Sequence, residues 1–216
     1  MRWFILGTKY ANSLCSVQNG QICMSTDLVY VSDTLAAPLT TALINHLQTN
    51  KTTYRLITPA AKARLTELLA DAHSKGATIH QPTSTSTSSN DPNDTAFPPS
   101  VIENVTPEMT FYGTEAFGPV VGLVRTPTES HALDLVSEMT SGHGFGLSSA
   151  IFTGAHFRAL QIAAAWRVGA VHVNSMTVHD EATLPHGGFG ESGFGRFGGK
   201  WGVEEFLVER AIVLNP

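Results

Sequence analysis

The sequence predicts an α/β fold, a mainly parallel, twisted sheet covered by helices. Three observations carry that reading. Short apolar runs such as LVYV (28–31), PVVGLVR (119–125) and SSAIF (148–152) lack the polar alternation of half-exposed strands, as expected where both faces are covered. Longer segments with helical spacing of apolar residues lie between them. Caps and stops punctuate those segments, so strand and helix alternate along the chain.

Taken in order, LVYVSD (28–33) reads as a strand and TLAAPLTTALINHLQT (34–49) as a helix that tolerates Pro38 in its first turn. A second helix opens with Thr58 as cap and Pro59 at its first position; Gly76 stops it, and a strand follows at 77–80. The stretch QPTSTSTSSNDPNDTAFPPS (81–100) is too poor in apolar residues to order itself and reads as a flexible surface loop, most strongly over 82–96. A boundary between domains is the alternative, disfavoured because neither flank looks like a self-sufficient core, so residues 1–216 are read as a single domain. A strand at 119–125 precedes the helix PTESHALDLVSEM (127–139), capped by Thr126 or Thr128. Next come a strand at 148–154, a helix from Ala155 ended by Gly169 and a strand at 170–174. A glycine-rich stretch (187–199), a short helix around WGVEEFL (201–207) and a last strand, ERAIVL (209–214), complete the chain.

Composition narrows the function classes. A net charge of −5 with scattered basic residues gives no nucleic-acid footprint. No apolar run approaches the ~20 residues of a membrane span, so no membrane partner is expected. The start, MRWFILGTKYANS, lacks a long apolar core and a cleavage site, which argues against a signal peptide. Two cysteines, Cys15 and Cys23, are too few for a disulfide framework and favour a reducing, cytoplasmic setting. No cluster with metal-ligand spacing surrounds either, so no metal is expected.

Cys23 sits in a polar turn just ahead of an apolar run. A lone cysteine there is commonly a small core residue. Asn19, Gly20 and Gln21 change the balance, because backbone and side-chain donors in a tight turn stabilise a thiolate or an oxyanion. A second constellation follows the strand that ends at Asn174, where His179, Asp180, Glu181 and His186 occupy an irregular segment. Carboxyl ends of parallel strands are where ligands bind in such sheets. Each histidine alone reads as a solvated loop residue; two near a candidate thiol offer it a base. The glycines from Gly187 to Gly199 read as a tight structural loop rather than a phosphate cradle, since the spacing does not follow a strand and open a helix. In TEAFGPVVGLV, Glu115 is either a solvated carboxylate or a ligand contact, and Phe117 leads into a buried strand.

Together these stretches resemble the catalytic domain of the aldehyde dehydrogenase superfamily. NGQICMS is similar to its nucleophile motif, with Cys23 in the catalytic position. TEAFGPV resembles its E-x-FGPV motif, which implies that Glu115 and Phe117 contact a nicotinamide cofactor. HVNS and PHGGFGESGFGRFGG resemble its VN and PFGG-x-x-x-SG-x-GR motifs, and TVHDEATLP and GRFGGKWGVEEF are closest to the branch that oxidises aromatic aldehydes such as salicylaldehyde and vanillin. The resemblance runs from about residue 11 to 213.

The departures shape the expectations. Family members are about twice as long, and their first half carries the Rossmann-type domain for NAD(P) and the glutamate that acts as general base. Only 22 residues precede Cys23, and MRWFILGTKYANSLCSVQ holds no carboxylate. The resemblance therefore implies a chain reduced to the catalytic domain, with Glu115 and Phe117 vestigial and no cofactor expected. His186 stands where the family places a phenylalanine in the substrate tunnel. The expected activity is cofactor-independent isomerisation, cyclisation, dehydration or hydrolysis of an aromatic or polyketide-like carbonyl compound. Cys23 would be nucleophile, His186 or His179 its proton partner, and Asn19, Gln21, Asn174, Asp180 and Glu181 substrate contacts. NAD(P)-dependent oxidation by a fragment or half of a split enzyme, and a non-catalytic binding role, are the alternatives. A homodimer or larger assembly is expected to cover the face that the missing domain would leave.

Overall fold

Which helix each core residue meets follows from the two-residue period of its strand. The computed structural model describes residues 17–49, 52, 54–83, 91, 93–140 and 144–215. Four strands form the main sheet: β1 (Leu28–Ser32), β2 (Thr78–His80), β3 (Ser100–Glu103) and β4 (Val120–Thr126), in the order β1-β4-β3-β2. β1 and β3 run parallel to β4, with Tyr30 opposite Val124 and Ile102 opposite Gly122. β2 pairs antiparallel with β3, Ile79 opposite Ile102. Val29, Val31, Val101, Val121 and Leu123 face α1 (Asp33–Thr49) and pack on Leu39, Leu43 and Leu47. Tyr30, Ile102, Val120 and Val124 face the other way, onto Leu65, Leu68 and Leu69 of α2 (Pro59–Ser74) and Ala132 and Val136 of α3 (Glu129–Thr140). Full burial of such side chains contributes about 1.5–3 kcal/mol each, and Leu65, Val31 and Ile102 lie wholly inside. The fold is therefore α/β with a mixed, mostly parallel sheet between helices.

Beyond this core lie β5 (Phe145–Gly146), β6 (Ser148–Ile151), β7 (Ala170–Val173) and β8 (Phe189–Gly190). β6 and β7 pair in parallel, β5 and β8 antiparallel. Helix α4 (His156–Ala165) packs Ala159 and Ile162 against Ile151, and α5 (Gly199–Glu204) is a short helix near the end.

Several local expectations hold at the level of atoms. Thr58 Oγ1 accepts the Ala61 N–H at 3.1 Å, with Pro59 at the first helical position. Gly76 follows α2 with φ +98°. Thr128, not Thr126, caps α3, its Oγ1 accepting the His131 N–H at 3.2 Å. Thr58→Ala is expected to lower stability by about 1 kcal/mol, read as a lower urea midpoint with unchanged slope.

Other expectations are corrected. α1 begins at Asp33, so Pro38 lies in its second turn, where its missing N–H leaves the Thr34 carbonyl without a helical donor. α4 ends at Ala165, not Gly169, because Trp166 adopts an extended backbone (ψ 137°) and turns its ring into the core. The strand at 148–154 stops at Ile151. The expected strand over 209–214 does not form: no ladder partner reaches it among the described residues, and Ile212, Val213 and Leu214 are exposed. β3 was hidden at the edge of a polar stretch. Of the expected loop at 82–96, residues 84–90 and 92 lie outside the described residues, as does Cys15. The end of that stretch is tied down, Lys62 Nζ donating to Asp94 Oδ2 at 2.8 Å and Phe97 entering the core. No helix among the described residues is long and apolar enough to cross a membrane.

Candidate active site

The turn bearing Cys23 is shaped by backbone contacts. A 3-10 turn (Val17–Gly20) precedes it, with Asn19 at φ +60° and Gly20 at φ +70°. Gly20 lies so close to the 114–119 loop that a β-carbon there would sit 2.0 Å from the Gly118 carbonyl oxygen. Ser25 N–H donates to the Ile22 carbonyl at 2.8 Å, closing the turn, and Cys23 is exposed at its tip.

From there the wall continues into a cavity of about 340 Å³ between the start of β1, α3 and the β6–β7 unit. Aromatic side chains supply much of it, among them Tyr30, Tyr112, Phe145, Phe152 and Trp166, with Leu28, Val136 and Met139 between them. Tyr30 donates its hydroxyl to Tyr112 at 3.1 Å, the rings meeting edge to face. Burial holds the Tyr30 phenol far above its ordinary pKa, and the acceptor Tyr112 adds to that. Thr177 ties the 175–178 loop to the turn bearing Cys23, donating to the Met24 carbonyl at 2.6 Å and sharing a 2.9 Å hydrogen bond with Thr26.

Three carboxylates also line the cavity: Asp27, Glu115 and Glu191. Asp27 Oδ2 accepts the Ala116 N–H at 3.4 Å. Arg64 donates to the Glu115 carbonyl at 2.9 Å and to the Ala116 carbonyl, so its guanidinium grips the loop backbone. Burial pushes the Asp27 pKa up to about 7, with the Glu115 charge adding to the rise, while the Ala116 N–H and Arg64 oppose it.

Cys23 and Glu115 are the expected site residues that share this cavity. Asn19 Nδ2 and Gln21 Nε2 each donate to the Arg55 carbonyl at 3.0 Å, and Gln21 Oε1 accepts the Ile57 N–H at 2.8 Å. Both amides thus brace the turn instead of lining the cavity. Asn174, at φ +58°, bonds the Thr153 backbone through both ends of its amide. His186 Nδ1 pairs with Asp180 at 3.3 Å and its ring packs on Phe197; His179 Nε2 pairs with Glu181 at 3.3 Å. None of Asn174, His179, Asp180, Glu181 and His186 lines the cavity. Phe117, at φ +50°, is partly exposed on the same loop as Glu115. The sequence reading missed Asp27, Tyr30, Tyr112 and Trp166. The available signal for Asp27 was an acid four residues after the cysteine, at the root of an apolar strand.

Glu115 borders the cavity and Phe117 is exposed on the same loop, braced by Arg64; these are the two residues that the resemblance assigns to a nicotinamide cofactor. No group of three or more His, Cys, Asp and Glu among the described residues is arranged to hold a metal ion.

Comparison with known proteins agrees with the fold. The aldehyde dehydrogenase family model matches residues 9–212. Vanillin dehydrogenase from Pseudomonas fluorescens is 33% identical over 205 residues, 91% of this chain and 40% of that protein. Salicylaldehyde dehydrogenase from Pseudomonas putida G7, solved with salicylaldehyde, superposes with a TM-score of 0.81 at 26% identity, covering 97% of this chain and 44% of the other. Betaine aldehyde dehydrogenase from Staphylococcus aureus, solved with NAD+, gives 0.79 at 26% identity, over 93% and 41%. The chain spans about two fifths of the length of the curated relatives it matches. With a match over nearly its whole length, the chain belongs to the aldehyde dehydrogenase family.

Proposed function

We propose that the chain is a thiol-dependent enzyme of aromatic carbonyl compounds. The observation that carries this reading is an exposed Cys23 on the wall of an aromatic-lined cavity of about 340 Å³. A benzene-sized ring enters between Tyr30, Tyr112, Phe152 and Trp166, with its carbonyl carbon at the thiol. The Cys23 thiolate forms the S–C bond, the carbonyl π pair moves to oxygen, and that oxygen takes a proton. The backbone N–H of Cys23 is the oxyanion donor in this reading.

Addition and collapse are redox-neutral, so isomerisation, cyclisation, dehydration or hydrolysis needs no hydride acceptor and no cofactor. His186 and His179 belong to this proposal as proton partners only through movement of the 175–186 segment, because the cavity lining does not include them. The exposed apolar tail through Val208 and Leu214 is assigned to contact with a second copy, so that a clean monomer on size-exclusion chromatography would count against a homo-oligomer.

The loop carrying Glu115 and Phe117 favours a second reading, oxidation of the same aldehyde. Those two residues would hold the nicotinamide end of NAD(P), which supplies a hydride acceptor when bound. Two absorbance measurements separate the readings. Wild type with salicylaldehyde or vanillin is expected to bleach the conjugated carbonyl band, and Cys23→Ser is expected not to. A robust rise at 340 nm with added NAD(P) would establish the oxidative reading instead; no bleaching by wild type would remove the thiol chemistry.

A further inference from the structure

The cavity needs a group that handles the proton of the carbonyl oxygen, and the paired histidines do not line it. Asp27 does. It stands at the root of β1, four residues from Cys23, in the same cavity wall. The backbone donor that reaches its carboxyl, Ala116 N–H, is long at 3.4 Å. The nearby guanidinium of Arg64 is engaged by the Glu115 and Ala116 carbonyls. The Glu115 carboxylate borders the same space, so two negative charges would face each other if both ionised.

We propose that the Asp27 carboxyl is the proton donor and acceptor of the Cys23 cavity, protonating the carbonyl oxygen as the thiolate adds and recovering that proton on release. This assignment rests on the thiol chemistry proposed above. In the forward step the thiol proton leaves to water, the S–C bond forms and the C=O π pair moves to oxygen. The Asp27 O–H breaks as oxygen takes its proton, leaving a hemithioacetal and a carboxylate; collapse reverses each transfer. Of the charged and titratable groups, Glu115 and Arg64 from α2 act on the Asp27 carboxyl, and Cys23, Glu191, Tyr30 and Tyr112 line the same cavity. Burial raises the Asp27 pKa to about 7, which keeps the proton available near neutrality.

The test compares wild type with Asp27→Asn, whose side-chain oxygen can still accept from Ala116 N–H. The rate of salicylaldehyde bleaching is followed from pH 5 to 9, beside alkylation of Cys23 by iodoacetamide, which involves no oxyanion. Asp27→Asn is expected to slow aldehyde addition by about 10²-fold, the low end for a positioned proton donor. It should also abolish an inflection near pH 7, with alkylation and circular dichroism unchanged. An Asn variant that adds aldehyde as fast as wild type overturns the assignment, as does a parallel loss of alkylation, which marks a misplaced turn. Wild type that alkylates but never bleaches the aldehyde overturns the thiol reading and this one with it, a failure visible before any variant is made.

Discussion

Gly20→Ala is expected to destabilise the protein by about 2–5 kcal/mol and to cost Cys23 its reactivity. Two separate terms add. A side chain at φ +70° costs about 1–2 kcal/mol in backbone strain. The new methyl would lie 2.0 Å from the Gly118 carbonyl oxygen, a backbone atom that cannot swing aside, and forced overpacking costs about 1–3 kcal/mol more. Gly118 cannot retreat easily, since a β-carbon there would already meet Leu65 Cδ1 at 2.3 Å. The turn must give way instead, carrying Cys23 with it. Gly76→Ala is the natural control: its φ is +98°, but its added methyl meets nothing within 4 Å, so only the strain remains. Urea denaturation should show a much larger loss for Gly20→Ala, accompanied by altered iodoacetamide reactivity of Cys23. Equal losses in the two variants would show that the Gly20–Gly118 approach does not hold the turn.

Stability should fall as pH rises from about 4 to about 7, through Asp27. Unfolded, this carboxyl titrates near 3.8; folded, burial and the Glu115 charge hold its proton to about pH 7. Between those values the folded state binds more protons, so raising the pH favours unfolding, and the effect levels off above 7. A pKa displaced that far corresponds to at most about 4 kcal/mol. Asp71 and Asp94 act in the opposite sense. Hydrogen bonds from Lys75 and Lys62 lower their pKa values first, so their contribution is present above the unfolded value and lost in acid, below about pH 4. Asp27→Asn should remove the fall between pH 4 and 7 and be more stable than wild type at pH 8. Urea midpoints at pH 5 and pH 8 check this; a wild-type slope that survives in the variant would exclude Asp27 as its source.

Much of the chain was legible because its signals are local. Thr58, Pro59 and Gly76 bracket α2 by their own backbone and hydroxyl chemistry. The apolar runs at 28–31 and 120–124 announce strands buried on both faces. Where the sequence misled, a distant partner decided. The run ERAIVL has strand character but meets no neighbouring strand among the described residues. SVIE, only four residues beside a polar loop, becomes β3 because β4 and β2 flank it.

The same division runs through the site. Motif order and turn chemistry marked Cys23 and Glu115, and the family followed from residues that keep their order along the chain. Sequence neighbourhood could not say that Asn19 and Gln21 brace the Arg55–Ile57 backbone, or that His186 and His179 pair with Asp180 and Glu181 outside the cavity. Nor could it reveal that Asp27 would stand in the cavity wall with Tyr30, Tyr112 and Trp166. The sequence alone determined most of the elements, the thiol turn and the family, because caps, turns and periodicity act over a few residues. Only the tertiary structure decided which groups share one space and how hard it is to charge them, because desolvation and proximity come from the residues that packing brings together.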